Sequence, residues 1–124
     1  MKYISLKKFN NKYKTNIEDL DIKDLNLSGK YIGKEGLKDL VKINFNELEE
    51  LNLSENEISI IDILEKANYK KLKGLYLSDN NISDIKILEK VKFEKLEELD
   101  LENNKIDVER FNIIILKMKS ILKI

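Results

Sequence analysis

The chain has 124 residues, enough for one domain with its own core, and its 23 basic and 23 acidic side chains cancel to zero net charge. A neutral chain has no overall field that attracts nucleic acid or an anionic membrane, so we expect neither as a partner. Histidine and cysteine are both missing, which excludes Ser-His-Asp and Cys-His catalysis, disulfides and the usual zinc sites. The composition argues against an enzyme, and we expect no cofactor.

The first ten residues, MKYISLKKFN, do not resemble a secretory signal. They contain no apolar core and no cleavage site made of small residues. No later stretch approaches the roughly 20 apolar residues that a membrane span needs. We therefore expect a soluble, cytoplasmic protein.

Residues 1–21 are predicted to form an N-terminal cap. Tyr3, Leu6, Phe9 and Tyr13 fall three or four residues apart, which predicts a short amphipathic helix. The segment after residue 21 is repetitive, as described below. A stack of structural repeats needs a capping element because its end strand otherwise exposes the core. The alternative is a helix that binds a partner. Residues 20–22 also alternate in polarity, so an early start of the first strand or a small extra strand stays open.

One phrase recurs every 24 residues along most of the chain. It reads LEELNLSENEI at 48–58, LKGLYLSDNNI at 72–82 and LEELDLENNKI at 96–106. A weaker first copy carries Ile22, Leu25, Leu27 and Ile32, with Lys30 where the others have Asn. The shared pattern L-x-x-L-x-L-x-x-N-x-I resembles the leucine-rich repeat. The repeats are predicted at 22–47, 48–71 and 72–95, with the start of a last one at 96–106.

The resemblance implies an α/β fold: a short right-handed solenoid with a parallel sheet on its concave side, short helices on its convex side and capped ends. Alternation around Leu51 and Leu53 predicts a strand with one buried face. The return segments 62–67 and 84–91 are predicted helices, with Asp62 and Asp84 near their N-termini. Three aromatic residues recur at one return position and are predicted to stack in the core: Phe45, Tyr69 and Phe93.

Asn56, Asn80 and Asn104 recur in the turn that leaves each strand. An Asn side chain both donates and accepts, so it can satisfy backbone groups that have no ladder partner. We predict a structural ladder of these three residues. Lys30 stands at the corresponding place in the first copy, where such a bond is not expected.

Residues 107–124 are predicted to form a helical C-terminal cap. Asp107 is a candidate helix cap. The apolar positions of the predicted helix are Phe111, Ile114, Ile115, Met118 and Ile121 or Leu122. The run at 113–116 is apolar on more than one face, unlike a surface helix. Two alternatives follow: the tail folds back as a further strand, or it contacts another chain.

Two motifs that suggest chemistry fail on spacing. Only three residues separate Gly29 from Gly33, where a phosphate-binding loop has four, and Glu35 follows Lys34, so such a loop is not predicted. The Glu pairs at 49–50 and 97–98 point to opposite faces of a strand, so neither is a preformed dyad. Weak calcium binding by acids on one face stays open, but no ligand loop of the usual spacing is present. We predict no metal site.

The outward strand positions of the repeats define what we call the concave face. They are Asp24, Asn26, Ser28, Glu50, Asn52, Ser54, Gly74, Tyr76, Ser78, Glu98, Asp100 and Glu102. Five are acidic and none is basic, although the chain as a whole is neutral. All except Ser28, Ser54 and Gly74 are candidate partner-binding residues. Tyr76, an outward tyrosine beside a glycine, is the best candidate hot spot.

The sequence thus predicts a non-enzymatic module that binds another protein, of basic character, through the acidic concave face. Three alternatives remain. The acids are a solubilising surface only, or the chain is an assembly unit that self-associates through its apolar C-terminal segment or its open strand edges. The third is an enzyme, for which the sequence shows no nucleophile–base pair and no metal cluster.

Overall fold

The computed structural model describes residues 5–91, 93–117 and 121–123. Its elements in chain order are α1 (Leu6–Tyr13), β1 (Asp24–Asn26), α2 (Gly33–Val41), β2 (Glu50–Asn52), the 3₁₀ helix η1 (Asp62–Lys66), β3 (Gly74–Tyr76), the 3₁₀ helix η2 (Lys86–Glu89), β4 (Glu98–Asp100), α3 (Val108–Lys117) and β5 (Ile121–Lys123). Tyr3 and Met118, together with the side chains of Ile115, Ile121 and Leu122, lie outside the described part.

The strands form one parallel sheet in the order β1-β2-β3-β4-β5. Leu25, Leu51, Leu75 and Leu99 are neighbours across it and are buried. The two-residue alternation of each strand sends these leucines inward and their flanking residues outward. The predicted α/β fold with a parallel sheet is confirmed.

The return segments close the core on the other side. Phe45 and Tyr69 are buried, and the Tyr69 ring stacks on Phe93 with centroids 6.4 Å apart. Burial raises the pKa of the Tyr69 hydroxyl, which lies 3.4 Å from the carbonyl oxygen of Leu40. Aromatic residues therefore fill the space behind the strands in successive repeats.

The first return is a regular α-helix, but the later two are only short 3₁₀ helices. The first return is two residues longer, which gives room for two full turns. Asp84 accepts a hydrogen bond from the backbone N–H of Lys86, two residues on (3.0 Å). Asp62 is the first residue of η1, but it makes no capping hydrogen bond.

Helix α1 begins after Ser5, whose side chain accepts a hydrogen bond from the Lys8 backbone N–H. Tyr13 donates to Asp39 of α2 at 2.6 Å, and Lys12 reaches the same carboxylate at 3.0 Å. Partial burial acts to raise the pKa of Asp39, but these two hydrogen bonds outweigh it and hold that pKa below its usual range. The early strand start at residues 20–22 is wrong, since β1 begins at Asp24.

The prediction of a helix across residues 107–124 is wrong in its second half. Helix α3 ends at Lys117, and residues 121–123 form β5, which pairs in parallel with β4. The outer edge of β4 presents unpaired backbone groups, and an added strand satisfies them. The tail therefore folds back as a further strand, one of the two alternatives. In the described part of the chain, no helix has both the length and the apolar character to cross a membrane.

Candidate functional site

The three turn asparagines make bonds to two repeats at once. The side-chain oxygen of Asn80 accepts the backbone N–H groups of Asn56 (3.0 Å) and Ile58 (2.9 Å). Its amide donates to the carbonyl oxygens of Leu53 (3.1 Å) and Leu77 (3.0 Å). Asn80 is only 5% exposed, so nearly all of its hydrogen-bonding capacity is used inside the protein.

The same bonding extends to both neighbouring turns. Asn56 accepts the backbone N–H groups of Lys30 (2.9 Å) and Ile32 (3.1 Å), so the first turn is satisfied without an Asn of its own. Asn104 accepts the N–H of Ile82 (3.0 Å) and donates to the carbonyl of Leu77 (2.9 Å). These side chains hold successive repeats together and are not available to a partner.

The concave face lies on the other side of the strands, and its residues form rows across the sheet. One row contains Asp24, Glu50, Gly74 and Glu98, and the next contains Asn26, Asn52, Tyr76 and Asp100. Five of these residues line a shallow groove of about 310 Å³: Asp24, Asn26, Glu50, Asn52 and Tyr76. The structure thus brings the predicted residues of the first three strands together.

Tyr76 is held between two carboxylates. Its hydroxyl lies 2.9 Å from Oε2 of Glu50 and 3.2 Å from Oε2 of Glu98. A phenol has one proton to donate, so the two acids share it. Partial burial raises the pKa of Tyr76, and the two neighbouring carboxylates raise it further. Tyr76 therefore points outward, as its strand position predicts, but it is half-buried and hydrogen-bonded to its neighbours.

The space for this contact comes from Gly74. A Cβ atom at Gly74 would collide with the carboxylate of Glu50 and would lie 2.6 Å from the Tyr76 hydroxyl. Without that atom, Tyr76 leans along its strand into the gap between the two glutamates. The sequence reasoning noted the glycine but missed this role. The signal was a glycine at the strand position that is glutamate in both neighbouring repeats.

Several of the remaining predicted residues also have local bonds. Asn26, Asn52 and Asp100 each accept the backbone N–H two residues on, at 2.9 to 3.0 Å. Short polar side chains commonly stabilise such strand ends. Ser78 donates to Ser54 at 2.9 Å. Asp24 and Glu102 are exposed to solvent.

Strand β5 adds one feature that the sequence reasoning did not include. Its register places Lys123 beside Asp100. The outward positions of β1–β4 contain no basic residue. In the described residues, no group of three or more acids is arranged to hold a metal ion.

Two family models match the chain. The model described as Leucine Rich repeats (2 copies) matches residues 70–112, and the model described as Leucine Rich Repeat matches residues 47–67. Together they cover just over half of the chain. The chain belongs to the leucine-rich repeat family.

The leucine-rich repeat fold is also found in a solved structure that this chain resembles, that of an internalin (inlF) from Listeria monocytogenes. The two are 30% identical, with a TM-score of 0.55 over 70% of this chain. The match covers 24% of the internalin chain, so this chain spans about a quarter of that protein's length. The predicted solenoid is confirmed. A search of curated proteins found no match.

Leucine-rich repeat domains are typically non-enzymatic, and they serve as protein–protein interaction modules. The matched repeats and the internalin-like fold support the same general role for this chain.

Proposed function

We propose that this leucine-rich repeat protein binds a basic segment of a partner protein across its concave face. The observation that carries the proposal is the pair of carboxylates at Glu50 and Glu98, which are fixed by one shared tyrosine hydroxyl at the centre of the sheet. Acids at Asp24, Asp100 and Glu102 extend the negative charge to both sides. Such a face attracts lysine and arginine and repels nucleic acid.

Rigid display is the proposed mechanism. Strands β2, β3 and β4, which carry Glu50, Tyr76 and Glu98, are each paired with a neighbouring strand on both sides. The Tyr76 hydroxyl further restricts Glu50 and Glu98, so little rotamer freedom remains to be lost when a cation binds. A carboxylate has about four acceptor positions, and one phenol proton leaves most of those of Glu50 for an incoming ammonium or guanidinium group.

The proposal is tested with a short peptide of alternating lysine and serine, titrated calorimetrically against the wild type. We expect Tyr76→Ala and Asp100→Lys each to weaken binding by more than about 1 kcal/mol, roughly fivefold in Kd. Glu18→Lys is the matched control. It reverses one charge, as Asp100→Lys does, but at an exposed site outside the sheet. Added salt should weaken binding to the wild type.

Equal affinity of the wild type, Tyr76→Ala and Asp100→Lys would remove the concave face from the proposal. Equal losses of affinity in Asp100→Lys and Glu18→Lys would show that binding depends only on the net charge of the protein. Circular dichroism of each variant separates lost binding from lost fold.

Self-association is a second candidate function, favoured by one observation. Helix α3 carries two apolar side chains that face solvent, Val108 at 70% exposure and Ile113 at 54%. A contact between copies would cover them. Sedimentation of the wild type against the double variant Val108→Ser, Ile113→Ser distinguishes the two functions, since only an assembly unit changes mass.

A further inference from the structure

A second surface lies between the return segments of the second and third repeats, away from the strands. It is a groove of about 660 Å³, in the size range of pockets that bind ligands. Ala67, Val91 and Phe93 are half-buried along it, with Tyr69 buried beneath. Exposed lysines stand at its margins. We call this surface the return groove.

The return groove exists because one repeat position is small. Ile43, Ala67 and Val91 occupy the same place in three successive returns, and Ile43 is only 1% exposed. A branched side chain fills that place in the first return. Alanine is the smallest residue at this position, and Ala67 and Val91 are both half-buried, so apolar surface between these two returns stays open to solvent.

The charges at the margin of the return groove are mainly positive. Lys71 is paired with Glu47 at 2.9 Å. Across the described residues, Lys70, Lys90 and Lys95 form no ion pair, while Glu65 and Glu94 are the acids that line the groove. Three unpaired cations around an apolar floor complement a segment that is acidic at its ends and apolar in its middle.

We infer that the return groove binds an acidic segment of a second protein, which inserts one apolar side chain beside Ala67. A nucleic acid fits the surface less well. The Tyr69 and Phe93 rings stack on each other with planes 17° apart, which occupies ring faces that bases would need. Glu65 and Glu94 would oppose a continuous line of phosphates. The leucine-rich repeat protein would then bind a basic partner on its concave face and an acidic one behind it.

The test uses two fluorescent probes. One is a short polyglutamate peptide with a single central leucine, and the other has serine in place of the leucine. We expect the wild type to bind the leucine peptide at least about fivefold more tightly than the serine peptide, since the insertion buries a full aliphatic side chain. Methyl chemical shifts of Ala67 and Val91 should move on titration.

Two variants locate the site independently. Ala67→Ile places in the groove the residue that already occupies this position in the first return, and should weaken the leucine peptide about fivefold while leaving the serine peptide unaffected. Lys70→Glu with Lys90→Glu should weaken both peptides about tenfold or more. Lys105→Glu, an exposed lysine outside the groove, is the charge control and should change affinity less than about twofold. Thermal melts confirm that each variant is folded.

The inference is overturned if neither peptide binds, if both peptides bind equally, or if Lys105→Glu matches the groove variants. It is also overturned if a single-stranded oligonucleotide displaces the leucine peptide and binds more tightly than it does. None of these results bears on the concave face, so the two binding proposals are tested independently of each other.

Discussion

The turns that leave the strands and the concave face are built by the same 24-residue repeat, but they use their polar groups differently. In the turns, Asn56 and Asn80 are buried and bonded to the backbone of two repeats. On the concave face, Glu50 and Glu98 both accept the one hydroxyl of Tyr76, and these three side chains are only half-buried. The turns use their polar groups for bonds between repeats, whereas the face presents its polar groups at the surface.

This difference follows the variation among the repeats of the chain itself. The turn position is asparagine in three copies, because each copy has the same backbone groups to satisfy. The outward positions change from Glu50 to Gly74 to Glu98 along one row. Positions that repeat unchanged therefore build the solenoid, and positions that change from repeat to repeat give its face a particular pattern.

Removing one turn asparagine is the strongest test of the difference between the turns and the concave face. Asn80→Ala leaves the buried N–H groups of Asn56 and Ile58 and the carbonyl of Leu53 without their present partners. We expect the free energy of unfolding to fall by about 3 kcal/mol, because each stranded buried group is costly. The measurement is urea unfolding followed by circular dichroism.

Asn52→Ala is the matched control on the concave face. Asn52 accepts one hydrogen bond from the backbone of Ser54, and its side chain is half-buried. We expect this variant to lose less than about 1 kcal/mol. Similar losses in both variants would mean that the turns and the face do not differ in the way described.

The regular parts of the fold were predictable from sequence because they depend on local alternation. Leu51 and Leu53 must share a face, and a fixed period places Leu51 beside Leu75. The 3₁₀ returns were predicted only as helices, since apolar spacing over five residues does not separate the two helix types. The sequence of β5 does not contain the repeat pattern, so it could not be assigned in the same way. This strand forms because β4 has an open edge.

The candidate face was predictable as a list of residues but not as an arrangement. Tyr76 was identified as outward, and that much follows from its strand. Its contact with Glu50 and Glu98 depends on the missing side chain of Gly74 in the same strand. Predicting such a contact requires both the strand register and the free space beside the side chain, and the sequence of a single repeat shows neither.

A smaller effect is expected where the turn begins. Glu55 has φ 56°, and the corresponding residue of the first repeat is Gly29, with φ 66°. The left-handed region disfavours residues with a Cβ atom. We expect Glu55→Gly to raise the free energy of unfolding by about 0.5–1 kcal/mol. Urea unfolding measures the change.

The reciprocal change tests the same strain in the opposite direction. An added Cβ at Gly29 meets no atom within 4 Å, so Gly29→Glu should destabilise through backbone conformation alone, by about 1 kcal/mol. If both variants shift stability in the same direction, backbone strain is not the cause. Asp79 and Asn103 take the same conformation in later repeats, and Asp and Asn tolerate it better than Glu.

The smallest effect concerns pH and belongs to the face alone, because the turn asparagines do not titrate. The pKa of Tyr76 is raised by partial burial and then by Glu50 and Glu98. A raised folded-state pKa gives stability that is present below the ordinary tyrosine value of 10.0 and is lost as pH rises through the folded-state value. Wild type should therefore lose stability more steeply than Tyr76→Phe as pH rises above 10.0.

The ranking of the two glutamates gives the finer test. Glu50 is the closer acceptor, at 2.9 Å against 3.2 Å for Glu98. Glu50→Gln should therefore lower the pKa of Tyr76 more than Glu98→Gln does, because it removes the nearer charge and leaves a neutral acceptor in place of the stronger, charge-assisted one. Difference absorbance against Tyr76→Phe isolates this tyrosine from the others. An unchanged titration midpoint in both glutamine variants would show that the hydroxyl does not lie between the two acids in solution, and the concave face would lose its fixed centre.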